Sequence, residues 1–164
     1  MSVSDADLAA LREQLGRDPR GAIAIAARCA CGRPLVVTTA PRLDDGTPFP
    51  TSFYLTCPAA VKAISTLEAT GLMEEMNRRL ASDEALRAAY AGAHADYLRR
   101  RAELGPAVPE IADVSAGGMP TRVKCLHALV GHALAAGPGV NPLGDEVLAR
   151  LEAEGTWSPR VCSC

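Results

Sequence analysis

Apolar residues near the amino end fall at Leu8, Leu11 and Leu15, the spacing of one helical face. Ser4 is placed to cap that helix and Gly21 to end it, so the pattern predicts an N-terminal helix within residues 1–20. The period then changes. Residues 22–27, with Ile23 and Ile25, and residues 35–39, with the β-branched run Val36-Val37-Thr38-Thr39, read as two strands. Between them Cys29-Ala30-Cys31-Gly32-Arg33-Pro34 is a turn by its Gly and Pro. Asp44-Asp45-Gly46 marks another turn, and residues 52–56 read as a third strand. A small antiparallel sheet of about three strands is the economical arrangement.

Beyond Pro58 the periodicity is helical almost throughout. Val61, Ile64 and Leu67 continue into Leu72, Met76 and Leu80, with Gly71 as a kink or break. Ser82 is expected to cap the next helix, which carries Asp83 and Glu84 in its first turn. Arg99, Arg100 and Arg101 near its end complement the helix dipole. Leu86, Ala89, Tyr90, Ala93 and Tyr97 make its buried stripe, and His94 packs among them. A connector over 105–118 leads to a helix from about residue 120 or 121 to 136. A Gly/Pro loop then leads to a last helix bearing Leu143, Val147, Leu148 and Leu151. The fold class is α+β: a small antiparallel sheet near the N-terminus packed by about five helices. We expect a single domain over residues 1–164, closing in a cysteine-containing tail at 157–164.

Composition narrows the function classes. A chain of 164 residues buries a core without staples. A net charge of −2 gives no reason to bind nucleic acid or an anionic membrane. Aromatic content of 4% makes base-stacking platforms improbable, with Trp157 the one tryptophan. No stretch approaches the roughly 18 apolar residues of a membrane helix, and residues 1–15 have no secretory h-region. The expected location is cytoplasmic, where six cysteines point to metal binding or thiol chemistry rather than disulfides.

Cys57 stands between Thr56 and Pro58. Pro58 reads as the first helical residue and Cys57 as the N-cap, where unpaired N–H groups favour a thiolate. The segment from Lys124 to His132, Lys-Cys-Leu-His-Ala-Leu-Val-Gly-His, holds the other candidates. On a regular helix Cys125 and His132 share a face but lie about 10 Å apart along the axis. Zinc bonds of about 2.0–2.3 Å do not span that distance. His127 falls on the opposite edge of the stripe formed by Leu126, Leu129, Val130 and Ala133, so the three do not converge. Two pictures remain: Cys125 with Cys57 at one focus, or Cys125 and His132 along a longer groove. Cys57, Cys125, His127 and His132 are thus the candidate metal ligands, with zinc the cofactor they suit, and Cys57 and His132 the catalytic candidates. The bland alternatives are a buried thiol at Cys125 and a satisfied imidazole at His132.

Cys29, Cys31, Cys162 and Cys164 would make a four-thiolate zinc site if the tail folds back on the first turn. This set ranks behind the other, because Cys-x-Cys is tighter than the usual knuckle and chain ends fray. Gly117 and Gly118 precede the expected helix start at 120 or 121, and Arg122 and Lys124 fall in its opening turns. Free N–H groups, dipole and cations together suit an anion there. The pattern is no Walker loop, and a flexible turn with a solvated basic face is the plainer reading.

Pro48-Phe49-Pro50-Thr51, Tyr54-Leu55-Thr56-Cys57-Pro58, Leu67-Glu68-Ala69-Thr70-Gly71, Lys124-Cys125-Leu126-His127 through His132-Ala133-Leu134, and Asn141-Pro142-Leu143-Gly144 occur in that order. Together they resemble the bacterial domain-of-unknown-function family 501 over roughly residues 21–157. The resemblance implies no established activity. Family members are often encoded beside enolase, a coiled-coil septum-formation protein and an exopolyphosphatase, which implies a cytosolic role near those proteins.

Two function classes follow. One is a small binding or regulatory protein with a Cys/His-lined groove, acting on a metabolic enzyme such as enolase. The other is a thiol- or zinc-dependent enzyme using Cys57 with Cys125 and His132 or His127. The first is preferred, because no complete catalytic constellation can be assembled at helical spacing.

Overall fold

The computed structural model describes residues 3–164. Helix α1 (Asp5–Leu15) precedes strands β1 (Ala22–Arg28), β2 (Pro34–Thr39) and β3 (Phe53–Leu55). Helices α2 (Pro58–Glu68), α3 (Leu72–Ser82), α4 (Glu84–Ala102), α5 (Leu126–Ala136) and α6 (Pro142–Glu154) follow, with a short 3-10 turn at Pro109–Ile111. The fold is α+β, with six α-helices among the described residues where about five were expected. Met1 and Ser2, within the expected 1–20 helix, lie outside the described residues.

Ser4 caps α1 as expected: its hydroxyl accepts the Asp7 N–H at 3.1 Å, and the Asp7 carboxylate faces the Ser4 N–H in return. The helix ends earlier than Gly21, because Gly16 at φ +70 closes it in the left-handed conformation that favours glycine. Strand order is β1-β2-β3, all antiparallel. The central strand β2 is buried along its whole length, covered by α1 and α5. That two-sided burial explains why its sequence is continuously apolar or β-branched rather than alternating.

Gly71 is a full break. At φ +83 it separates α2 from α3. Asp83, not Ser82, caps α4, accepting the Leu86 N–H at 3.0 Å, since the chain stays helical through Ser82. On α4 the buried stripe is Tyr90, Ala93, Tyr97 and Arg101. Ala89 is exposed, lying off the side that faces the core.

Helix α5 is central. Gly131 presses against β3, where a Cβ would come 2.4 Å from the Phe53 carbonyl oxygen. On another side Gly144 of α6 approaches the Leu129 carbonyl just as closely. Glycine at both crossings lets backbone meet backbone. One hydrophobic cluster runs from Cys29 and β2 through α2–α6 to Trp157, which pins the start of the tail.

The largest departure is at the start of α5. The helix begins at Leu126, not at residue 120 or 121, with Cys125 an extended N-cap (φ −152, ψ 112). Side chains claim the preceding backbone. The Asn77 amide pairs with both polar groups of Val123, accepting its N–H at 2.8 Å and donating to its carbonyl at 3.1 Å. Tyr90 donates to the Arg122 carbonyl at 2.9 Å. A backbone bonded in this way is not free to close helical turns.

Candidate functional site

Two groups of potential ligands converge among the described residues: Cys29, Cys31, Cys162 and Cys164, and Glu68, Cys125 and His127. In each group the ligating atoms all lie within 4.8 Å of one another. All six cysteines are free thiols.

The first group joins the two ends of the chain. Cys29 ends the β1 side of the hairpin, where its N–H donates to the Arg33 carbonyl and its own carbonyl accepts the Gly32 N–H, both at 2.8 Å. Gly32, at φ +90, turns the chain immediately after Cys31. The tail comes to meet it. Trp157 is buried, Ser158 donates to Glu152 at 2.7 Å, and Arg160 binds the same carboxylate at 3.0 Å. Cys29 is buried and the other three are exposed.

Electrostatics within this cluster are frustrated. The Arg33 N–H, with lesser help from neighbouring thiols, draws the Cys31 pKa down to about 7. Burial, then the adjacent Cys29 and Cys31, pushes Cys164 up. At Cys162 the Cys164 N–H favours the thiolate, but Cys31, desolvation and Cys29 together prevail and its pKa rises. One sulfur ionises readily, and its charge opposes ionisation of Cys162 and Cys164. A bound cation removes that conflict.

The second group owes its existence to the late start of α5. As an extended N-cap, Cys125 escapes the helical spacing that sets it apart from His127, and its Sγ comes 3.9 Å from His127 Nδ1. The same nitrogen is 3.2 Å from Glu68 Oε1, at the end of α2. Glu68 Oε2 accepts the Leu126 N–H at 2.9 Å. His127 Nε2 donates to the Val61 carbonyl at 3.2 Å and lies 3.1 Å from Ser65 Oγ. Pairing with Cys125, reinforced by Glu68, raises the His127 pKa. Burial opposes ionisation of Cys125, but His127 and the Ala128 N–H outweigh it and its pKa falls.

The expected anion loop is rebuilt by the same shift. Gly117 and Gly118 have φ of +65 and +93, and their carbonyls accept the N–H groups of Lys124 at 2.8 Å and Arg122 at 3.0 Å. They shape a turn outside the helix. The first N–H of α5, that of Leu126, is taken by the protein's own Glu68 carboxylate. Gly117, Gly118, Arg122 and Lys124 nevertheless line one groove of about 540 Å³, and Cys125 lines it with them.

Cys57 and His132 belong to neither group. Cys57 is the N-cap of α2, but it is 1% exposed and its side chain makes no cap hydrogen bond. It lies close enough to Cys164 to oppose that thiol's ionisation. His132 is fully buried between Phe53 and Tyr97. Its Nε2 donates to Asp96 Oδ2 at 2.8 Å. Asn141 spends its Oδ1 on the Gly144 N–H at 2.9 Å, so its Nδ2 donates to His132 Nδ1 at 3.2 Å. That nitrogen is therefore bare, and the imidazole is neutral. His94 bonds Ser115 Oγ at 2.7 Å.

Two residues that carry these arrangements escaped the sequence reading. Glu68 resembles any exposed helix-end acid, and only folding places it against α5. Arg101 looks like a dipole complement but is buried. It donates to the carbonyls of Pro50, Ile111, Val114 and Ser115 and to Ser52 Oγ, which fastens the 105–118 connector to the approach of β3. Its position one helical turn beyond Tyr97, on the buried stripe, was the available signal.

Fold and site together define an α+β protein, rich in free cysteine, with a four-thiol cluster that could hold a metal. The chain belongs to the DUF501 family, proteins of unknown function, which matches residues 25–149. No curated protein and no solved structure matches it. The matched span contains Glu68, Cys125, His127, Cys29 and Cys31, whereas Cys162 and Cys164 lie beyond it. No helix among the described residues is long and apolar enough to cross a membrane.

Proposed function

We propose that this is a zinc-binding protein of the binding and regulatory class. Cys29, Cys31, Cys162 and Cys164 hold one ion and so fasten the carboxyl tail to the β1–β2 hairpin. The observation that carries this reading is the meeting of four sulfurs from opposite ends of the chain, all within 4.8 Å. A tetrahedral zinc with bonds of about 2.3 Å sets its sulfurs roughly 3.8 Å apart, so little movement is needed. The mutual opposition of the thiolates supports the same conclusion, since soft thiolate sets select zinc. Arg33, whose own pKa is raised by Glu13 and, less strongly, by Cys164 and Cys31, supplies nearby positive charge to a site that carries two excess negative charges when loaded.

Metal loading then decides whether the tail is ordered, and the ordered tail presents Val161, 68% exposed, beside the hairpin. An ordered apolar residue at a metal-fastened tip suits contact with another protein. Enolase is the first partner to test, followed by the exopolyphosphatase and the septum-formation protein. Four reduced thiols belong in a reducing compartment, so the reading carries a cytoplasmic location with it.

The test is metal content by mass spectrometry on full-length protein purified without chelator. Loss of about one equivalent of zinc in Cys162→Ser/Cys164→Ser, together with faster proteolysis of the tail, is the expected result. Zinc content and tail protection unchanged in that variant would overturn the proposal.

A further inference from the structure

Glu68, Cys125 and His127 bring three chemically different donors to one point, far along the chain from the tail cluster. The geometry points to a second transition-metal site, of the zinc class, held by Cys125 Sγ, His127 Nδ1 and a Glu68 carboxylate oxygen. One coordination position is left open towards the groove that carries Arg122 and Lys124. This inference stands apart from the tail-cluster reading.

The orientation of the imidazole carries the argument. Its Nε2 faces the Val61 carbonyl at 3.2 Å, and a carbonyl only accepts, so Nε2 holds a proton. That hydrogen bond leaves Nδ1 as the ligating nitrogen, the arrangement by which a backbone carbonyl fixes the tautomer of a metal-bound histidine. Nδ1 points into the space shared with Cys125 Sγ, at 3.9 Å, and Glu68 Oε1, at 3.2 Å. Glu68 is fixed in turn, because its second oxygen accepts the Leu126 N–H at 2.9 Å. His127 and Glu68 are thus held by partners outside the site, and neither depends on the ion for its placement.

Sulfur, nitrogen and oxygen together suit zinc rather than magnesium or calcium, which take oxygen donors. Three protein ligands are the number found in zinc sites that keep a fourth position for water or substrate. Here Cys125 opens on the 540 Å³ groove, whose cations are Arg122 and Lys124, both exposed. An anionic small ligand, a phosphate or a carboxylate, matches both the open metal position and those side chains. On loading, Cys125 gives up its thiol proton and His127 the proton that its Nδ1 shares with the Glu68 carboxylate; both leave to solvent as the sulfur–metal and nitrogen–metal bonds form, with no change in oxidation state.

The experiment measures metal in the full-length wild type, in Cys162→Ser/Cys164→Ser, and in Cys125→Ser, with circular dichroism confirming the fold of each. We expect about two equivalents in the wild type and about one in each variant. Loss of zinc from Cys125→Ser alone would sink the tail-cluster reading and leave this one intact. Retention of the full wild-type content in Cys125→Ser, or none in Cys162→Ser/Cys164→Ser, would overturn the second site. Cobalt substitution of Cys162→Ser/Cys164→Ser gives an independent readout. A single-thiolate charge-transfer band that disappears on adding Cys125→Ser is expected, and its persistence would also overturn the site. Inorganic phosphate should shift the cobalt d–d bands, less so in Arg122→Ala/Lys124→Ala. Bands indifferent to phosphate would overturn the open position.

Discussion

Glu68, the last residue of α2, accepts the N–H of Leu126, the first residue of α5, at 2.9 Å. A carboxylate from one helix thereby caps another that lies far along the chain. It satisfies one of the backbone donors that a helix N-terminus leaves without an intrahelical partner. In metal-free protein Glu68→Ala should therefore cost about 1–2 kcal/mol, the usual scale of a lost helix cap. Glu68→Gln, which keeps an acceptor, should lose less. Urea denaturation with chelator present reads both, and equal losses would contradict the capping role.

Two glycines within helices should respond oppositely to alanine. Gly92 of α4 has open space where a Cβ would go, so Gly92→Ala should stabilise by about 0.5–1 kcal/mol through helix propensity. At Gly131 the Cβ would meet the Phe53 backbone at 2.4 Å, and the strand has no side chain to move aside. Gly131→Ala should destabilise by roughly 3 kcal/mol or more. Thermal denaturation of the pair is the measurement.

Arg101 is a buried cation held by backbone carbonyls and a hydroxyl. Arg101→Met removes the donors and leaves buried acceptors unsatisfied, at a cost of about 3 kcal/mol or more. Arg101→Lys should rescue little, since a point ammonium does not reproduce the planar fork. Denaturation midpoints give the stability. Hydrogen exchange in residues 105–118 should report the released connector, and unchanged protection there would refute the assignment.

Acid should weaken the fold in two windows. Burial lowers the pKa of His132, against the opposing pull of Asp96, with Arg100 lowering it further and Asp145 raising it. The unfolded chain thus binds the proton more readily, and stability falls as pH drops below about 6.5. Asp7, drawn down to about 2 chiefly by its hydrogen bond to Arg28, contributes above the ordinary carboxylate range and is lost as pH falls towards 2. Denaturation against pH in the wild type, His132→Gln and Asp7→Asn separates the two. Each variant should flatten its own window.

Thiol reactivity should follow the environment of each sulfur. In metal-free protein at neutral pH, Cys31, exposed and with its pKa near 7, should be alkylated first. Cys57, buried at 1% exposure, should be alkylated last. Timed iodoacetamide labelling with peptide mapping reads the order, and added zinc should slow the labelling of Cys31 together with the other cysteines that hold the ion.

Local chemistry made much of this architecture readable in the chain. Ser4 caps α1, β2 falls where β-branched residues cluster, and Gly71 breaks the helix at its left-handed position. These features depend on neighbours a few residues away, within reach of periodicity and capping rules. Family membership was legible for a related reason, since ordered motifs need no coordinates. The start of α5 was not. Asn77 and Tyr90, distant in sequence, claim the backbone of Val123 and Arg122, and this tertiary bonding overrides the local helical pattern. One consequence is that Cys125 and His127 meet, together with a glutamate that nothing local connects to them. The sulfurs at the two chain ends likewise converge only because Trp157 is buried in the core and delivers the tail to the hairpin. Residue types and spacing determined which atoms were available to bind. Long-range packing decided which of them stand together, because proximity between distant segments is set by the burial of the surfaces that join them.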